Sequence, residues 1–492
     1  MKKILSFFLA LSFGLLSVSA QNKDPEFVKY MNSPWVDSVY KSMTLKQQIG
    51  QMIFVELRPS NPSTVVKAMQ DVKDLNVGGA VLFLSKLPDQ AATINGLQSI
   101  ARTPLLIAID GEWGLGMRLQ DVDNFPYQMA LGSLKDNSLI YKMGLEVARQ
   151  AKRAGLHINL APTVDVNNNS LNPVIGYRSF GEDPKDVAAK GFSYIKGMED
   201  GGIICTAKHF PGHGDTETDS HADLPLISHD MNRLNSVELM PFHELVKNGA
   251  TGIMTAHLNV PAITGNSLPT SLSPKAIKEL IRDRWGYKGL IFTDGMEMRG
   301  ISKYYSPGQA ARMAAEAGND ILELVRDPKE AIDSIYAAVQ KGQISKKQIE
   351  ESVRRILAIK YYVGLNKYKP TNTWNIVSDV NSPASKLLIR QMTEKTITGL
   401  QNNDNILPLE TGKFKKIAVV SLRSDNSDVF YNRFKKYFKA DYFKYDFKNS
   451  LTKADDILDS LKKYDLVIAE TGGFSTRPGK AQKVEDPKKN YG

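Results

Sequence analysis

Cysteine is almost missing from this chain: Cys205 stands alone in 492 residues. No disulfide can therefore form within it, and a small scaffold stapled by bridges is excluded. Tryptophan is held to four residues and histidine to seven, so any place where histidines gather stands out. Long apolar runs are also lacking. The one that opens the chain, MKKILSFFLALSFGLLSVSA, is short for a membrane span of about 20 apolar residues and is followed by the polar Gln-Asn-Lys-Asp. Two lysines, an apolar stretch and small residues at Val18 and Ala20 read as a signal peptide over residues 1–20, cut before Gln21. The expected address is exported, periplasmic or extracellular, with no stable membrane insertion. No cysteine stands at the cleavage point to carry a lipid.

Charge of one sign is scarce in the main body. The formal net charge is +10, yet the lysine excess sits in the signal peptide and after residue 365, leaving 21–365 balanced. In the basic tail, FYNRFKKYFKADYFKYDF interleaves aromatics with lysines. That pattern suits a groove for an acidic polymer, or an amphipathic helix and a strand with a solvated lysine face. Export argues against nucleic acid as a partner.

Apolar residues make up 42% of the chain, ample for packed cores in a chain too long for one ordinary domain. Eight short apolar runs recur along it: QMIFVEL (51–57), GAVLFLS (79–85), LLIAIDG (105–111), HINLAPTVDV (157–166), GIICTAKHF (202–210), GIMTAHLNV (252–260), GLIFTDG (289–295) and DILELV (320–325). Helical patterns lie between them, several opened by Ser or Pro and closed near Gly. Strands apolar throughout and separated by helices imply a parallel sheet buried on both faces. Eight such units predict a (β/α)8 TIM-type barrel over residues 21–365.

In such a barrel, chemistry gathers where the strands end. Asp110, Asp165, Lys208 with His209, His257 and Asp294 close these runs. A lone Asp there is ordinarily a helix cap; five strands ending in ionisable groups are not explained by caps. The fifth run leads into KHFPGHGDTETDSH, Lys208 to His221, which holds three of the seven histidines. His209 and His213 have the four-residue spacing of a helical metal pair, but Pro211 and Gly212 forbid a regular helix between them. No metal or cofactor is expected. Asp219 and His221 stand two apart, so an extended backbone sets the carboxylate beside the imidazole as a proton-transfer pair. A purely structural His–Asp contact fits that spacing as well.

The segment KHFPGHGDTETDSH resembles the signature of the β-N-acetylglucosaminidases of glycoside hydrolase family 3. NPVIGYRSFGEDP (172–184), GLIFTDGMEM (289–298) and AIDGEWGLGMR (108–118) resemble the family's other motifs, so the likeness spans about residues 45–365. The resemblance implies a barrel, with Asp294 as nucleophile, His221 as general acid/base and Asp219 orienting it. It also implies that Asp110, Arg118, Arg178, Lys208 and His209 grip the sugar hydroxyls. Two departures touch the mouth: Gly111 and Trp113 within Asp110–Gly114, and Gly295-Met296-Glu297 after the nucleophile. Trp113 suits a stacking wall or a packed rim equally.

Past a linker at 366–410, residues 411–492 read as strand, helix, strand, helix, strand, a partial α/β sandwich second domain. The expected function is retaining exo-β-N-acetylglucosaminidase action on GlcNAc-ended glycans, foremost peptidoglycan fragments. The alternatives are a β-glucosidase or β-xylosidase of the same family, a phosphorolytic variant, a metallohydrolase, or a silent carbohydrate-binding scaffold.

Overall fold

A computed structural model describes residues 22–220, 223–423, 428–445 and 451–472. The leader at 1–20, His221 and the terminal KVEDPKKNYG lie outside the described residues. Eight short strands form the first domain: β1 (Ile53–Leu57), β2 (Gly79–Leu82), β3 (Leu106–Ile109), β4 (Ile158–Asn159), β5 (Ile204–Phe210), β6 (Gly252–Thr255), β7 (Leu290–Thr293) and β8 (Leu322–Glu323). They pair in parallel in the order β7-β6-β5-β4-β3-β2-β1-β8. A parallel bridge from Phe292 to Ile321, with the Thr293 N–H on the Ile321 carbonyl at 2.9 Å, brings the two ends of the sheet together. Apolar residues are buried on both sides of every strand, as a sheet wrapped in helices requires.

The runs were longer on paper than in the fold. HINLAPTVDV contributes only Ile158–Asn159 as strand, because Pro162 brings no N–H to the ladder. The remainder is a buried extension that touches β5 through a Thr163–Lys208 bridge. The helices start where the sequence signals them. Thr44 forms a capping box with Gln47, while Asp183, Ser306, Asp327 and Ser345 accept backbone N–H groups at their helix starts. SLIYKMGLEVARQAKR and PKDVAAKGFSYIKGMED fold as helices Ser138–Arg153 and Pro184–Asp200.

Within the span read as a linker, residues 376–380 and 383–396 are helical. Part of it is fastened to the barrel: Arg153 donates to the carbonyls of Asn372 and Trp374 at 2.6 and 2.7 Å, and Gln150 to Ser385 Oγ at 2.9 Å. Beyond it, β9 (Ile417–Arg423), β10 (Asp441–Lys444) and β11 (Leu466–Gly472) form a parallel sheet in the order β10-β9-β11. No helix among the described residues is long and apolar enough to cross a membrane.

Buried titratable groups set the acid tolerance of the barrel, and their signs oppose. Burial lowers His213 to about 4, with His209 adding to the shift. Burial also lowers His157 to about 4. Both lose stability as pH falls from 6.5, the unfolded value, towards 4. Burial raises Glu199 to about 7 and pushes Glu323 up as well, so these two contribute stability that is full below 4.5 and lost as pH rises. The wild type is therefore expected to keep nearly constant stability between about pH 6.5 and 4.5. Glu199→Gln, which keeps an acceptor for the Thr251 N–H at 3.0 Å, should tilt the profile by at most about 1.4 kcal/mol per pH unit, losing stability on acidification. Urea unfolding across that range checks it, and a parallel shift of the whole curve would contradict it.

Candidate active site

A cavity of about 570 Å³ opens at the C-terminal ends of the barrel strands. Asp110 follows β3, Lys208 and His209 end β5, and Asp294 follows β7; all four line it. Arg118 and Arg178 enter from the loops after β3 and β4, and Asp219 from the loop after β5. Every residue that the family resemblance places at the site thus reaches one cavity, apart from His221, which lies outside the described residues.

The floor is a chain of alternating charges. Lys208 Nζ sits 2.7 Å from Asp110 and 2.9 Å from Glu112, and its side chain is 3% exposed. Arg118 closes on the other Asp110 oxygen at 2.5 Å and lies over the ring of Phe83. Arg178 takes both oxygens of Glu112, at 2.9 and 2.7 Å. Its Nη2 also reaches His209 Nε2 at 3.3 Å. A guanidinium can only donate, so that nitrogen accepts and Nδ1 carries the proton, which it gives to Asp165 at 2.7 Å. Asp165 further accepts the backbone N–H groups of His209 and His213. The Lys208–His209 peptide is cis.

Electrostatics hold this arrangement ionised. Burial alone would raise Asp110, but Lys208 and Arg118 keep it well below the usual carboxylate range. Burial likewise opposes the charge on Glu112, yet Arg178 and Lys208 bring it down to about 2. The same contacts raise Lys208 against its burial. Cations and anions fixed before a ligand arrives present donors and acceptors that need no reorganisation. Glu112→Gln would leave Lys208 and Arg178 short of one buried negative charge. A loss of about 3 kcal/mol in unfolding free energy is expected, the size of breaking a buried pair; it should be full above pH 4.5, where the unfolded glutamate is ionised, and shrink as pH falls from 4.5 towards 2. Chemical denaturation at pH 4 and 7 measures both.

The loop after β5 is locked from below. Gly212 has φ +131, and a Cβ there would sit 2.9 Å from Glu238. A Cβ on Gly214 would lie 1.7 Å from the Val166 carbonyl oxygen. Asn172 joins this loop to the one carrying Arg178. Its amide donates to the carbonyls of His213 and Gly214 at 2.7 and 2.9 Å, while its oxygen accepts from the Val174 and Ile175 N–H groups.

As for metal ligands, His209 and His213 are committed elsewhere. His213 is bonded through both ring nitrogens, to Thr216 at 2.8 Å and Ser220 at 3.0 Å. Among the described residues, donor atoms of Asp215, His229 and Glu238 lie within 4.8 Å of one another. Arg233 stands in that group already, 3.0 Å from Glu238 and 4.0 Å from Asp215.

Four residues lay beyond the sequence reading. Glu112, Asn172 and Glu323 were given no role, and Asp165, noted only as closing a strand, proves to be the fully buried brace of His209. The alternation of Asp110 and Glu112 was the one available signal for Glu112. His257, grouped with the site by its place after the sixth run, instead bonds Ser271 Oγ and the Gly295 carbonyl at 2.8 and 3.0 Å and is buried away from the cavity lining. Trp113 lines the cavity and meets Tyr177 and Tyr127 at ring-centroid distances of 5.9 and 4.9 Å.

Residues 44–359 match the profile of the Glycosyl hydrolase family 3 N terminal domain. The chain is 29% identical over 432 residues to Beta-hexosaminidase A of Pseudoalteromonas piscicida, covering 78% of this chain and 71% of that protein. It is 26% identical over 404 residues to the Beta-N-acetylglucosaminidase/beta-glucosidase of Cellulomonas fimi, with 80% and 71% covered. The structure of a glycoside hydrolase family 3 beta-N-acetylglucosaminidase from Paenibacillus sp. str. FPU-7 superposes with a TM-score of 0.73 at 32% identity, covering 87% of this chain and 84% of that one.

Proposed function

The chain belongs to glycoside hydrolase family 3, and from that premise we propose that it is an exported, retaining exo-β-N-acetylglucosaminidase. Its proposed substrates are glycans ending in β-linked GlcNAc, foremost peptidoglycan fragments in which GlcNAc is joined to muramic acid. The observation that carries this reading is the fixed charge network on the cavity floor, with Asp294 lining the same cavity. Such a floor can grip the hydroxyls of one terminal sugar, which suits exo action.

In the proposed mechanism, the Asp294 carboxylate attacks the anomeric carbon as the bond to the leaving oxygen breaks, and His221 delivers the proton that oxygen needs. The glycosyl group is then an ester of Asp294. A water molecule attacks the same carbon, gives its proton to His221 and frees Asp294, so the configuration is retained. Asp219 is the proposed partner that orients the His221 ring and supports its positive form. A His–Asp pair of this kind takes the place of the second carboxyl group usual in retaining glycosidases.

A panel of nitrophenyl β-glycosides tests activity and sugar together. Cleavage of the GlcNAc compound in preference to the glucoside and xyloside supports the reading. The Cellulomonas fimi relative carries both activities in its name, so the glucoside is the competitor that matters, and preference for it would overturn the choice. Free GlcNAc as product in phosphate buffer, rather than its 1-phosphate, separates hydrolysis from phosphorolysis.

A further inference from the structure

The cavity is lined by a deeply buried acid that the proposed mechanism does not use. Glu323 ends β8 and lines the cavity together with Leu324. It is 2% exposed, and its Oε1 is buried with no hydrogen-bond partner among the described residues. Its backbone is pinned on both sides, the N–H to Thr293 Oγ1 at 3.1 Å and the carbonyl to the Met296 N–H at 2.8 Å. The next residue, Leu324, takes φ +53, a left-handed conformation that costs a branched residue energy and is retained where the surroundings impose it. Asp110 and Glu112 on the cavity floor each have a cation; among the described residues Glu323 has none. Burial, with Asp110 and Asp294 nearby, raises it well above the usual carboxylate range, which favours the protonated form, able both to donate and to accept. A buried polar group left unsatisfied costs stability, and it persists in a binding cavity when a ligand satisfies it.

We infer that Glu323 is a further substrate-contacting and specificity-determining residue, whose carboxyl hydrogen-bonds a neutral polar group, hydroxyl or amide, of the sugar seated on the cavity floor. The inference rests on the glycosidase reading above. It places a donor opposite the Lys208–Asp110 pair, so the sugar is read from β8 as well as from β3 and β5.

The test uses Glu323→Leu, which keeps volume and removes the hydrogen bond, and Glu323→Gln, which keeps a donor and an acceptor. With nitrophenyl β-GlcNAc, the Leu variant is expected to lose about tenfold to a hundredfold in kcat/KM, chiefly through KM, the size of one hydrogen bond from a buried polar group. Its unfolding midpoint should be equal to or higher than that of wild type, since an orphaned polar atom has gone. The Gln variant should stay within about threefold of wild type, because an amide can replace a neutral acid in both roles. Wild-type kcat/KM in the Leu variant would overturn the inference. So would a parallel fall in unfolding midpoint and activity in both variants, which marks a structural role. Should the wild type cleave no glycoside of the panel, the glycosidase reading falls, and calorimetric titration with GlcNAc and glucose then decides Glu323 separately. Weaker binding by the Leu variant alone upholds it; equal binding, or none by either protein, overturns it.

Discussion

Asp294→Asn is expected to lower kcat/KM by about four orders of magnitude, since a nucleophile has no substitute in a double displacement, while leaving GlcNAc binding close to that of wild type. The fold can accommodate the change. Asp294 is anchored by its backbone N–H on the Thr255 carbonyl at 2.9 Å, and its Oδ1 accepts the Gly295 N–H at 2.8 Å, which an amide oxygen can do equally well. The charge network on the floor is built from other residues, so the grip on the sugar remains. What disappears is the carboxylate proposed to form the bond to the anomeric carbon. A matching Asp294→Gly variant, given azide, should regain turnover and release a glycosyl azide of inverted configuration, the anion entering where the side chain was. A variant that keeps more than about a tenth of wild-type activity would remove Asp294 from the nucleophile role. If it lost binding as well as turnover, its role would lie in holding the sugar.

The second large effect concerns proton delivery. Asp219→Asn should cut kcat on alkyl-linked or sugar-linked substrates by about 10²- to 10⁴-fold, the range of general acid catalysis. The loss should shrink towards nothing with dinitrophenyl leaving groups, which depart without a proton. Asp219 lines the cavity at the far end of the loop from Lys208, and its backbone carbonyl accepts the Asp223 N–H at 3.1 Å. The substitution is isosteric, so a uniform loss across all leaving groups would indicate damage to the loop instead. His221→Ala is expected to follow the same pattern with a larger effect. A leaving-group series with both variants and wild type decides the matter, because only a proton donor makes the loss depend on the basicity of the departing oxygen.

The barrel was legible because parallel strands buried on both faces are apolar without interruption, and eight such runs in register with helices leave little choice of fold. What could not be read was where each strand stops. Apolar character continues past Asn159 and Thr255 into buried extensions that leave the ladder, and burial, which the pattern reports, is not the same as pairing. The same blur drew His257 into the group of strand-end residues, although its ring braces Ser271 and Gly295. The cavity-lining cations were visible through motif and position. Their counter-charges were not: Glu112 matters because Lys208 and Arg178 converge on it, and convergence across such separations is a property of the closed barrel. Glu323 was hidden for a related reason, since a glutamate within DILELV reads as an ordinary break in an apolar run. Only the closed barrel turns it towards Asp110 and Asp294.

Asn172 carries a practical lesson for anyone reshaping this enzyme. Through one side chain it fastens the segment that presents Arg178 to the segment that leads towards Asp219. Exchanging the arginine loop alone would take the Asn172 amide from the carbonyls of His213 and Gly214 and from Thr216 Oγ1, and exchanging the loop after β5 alone would take those three acceptors from the amide. The two stretches form a single transplantable cassette, and altered sugar preference will come more readily from moving them together than from editing the arginine loop alone.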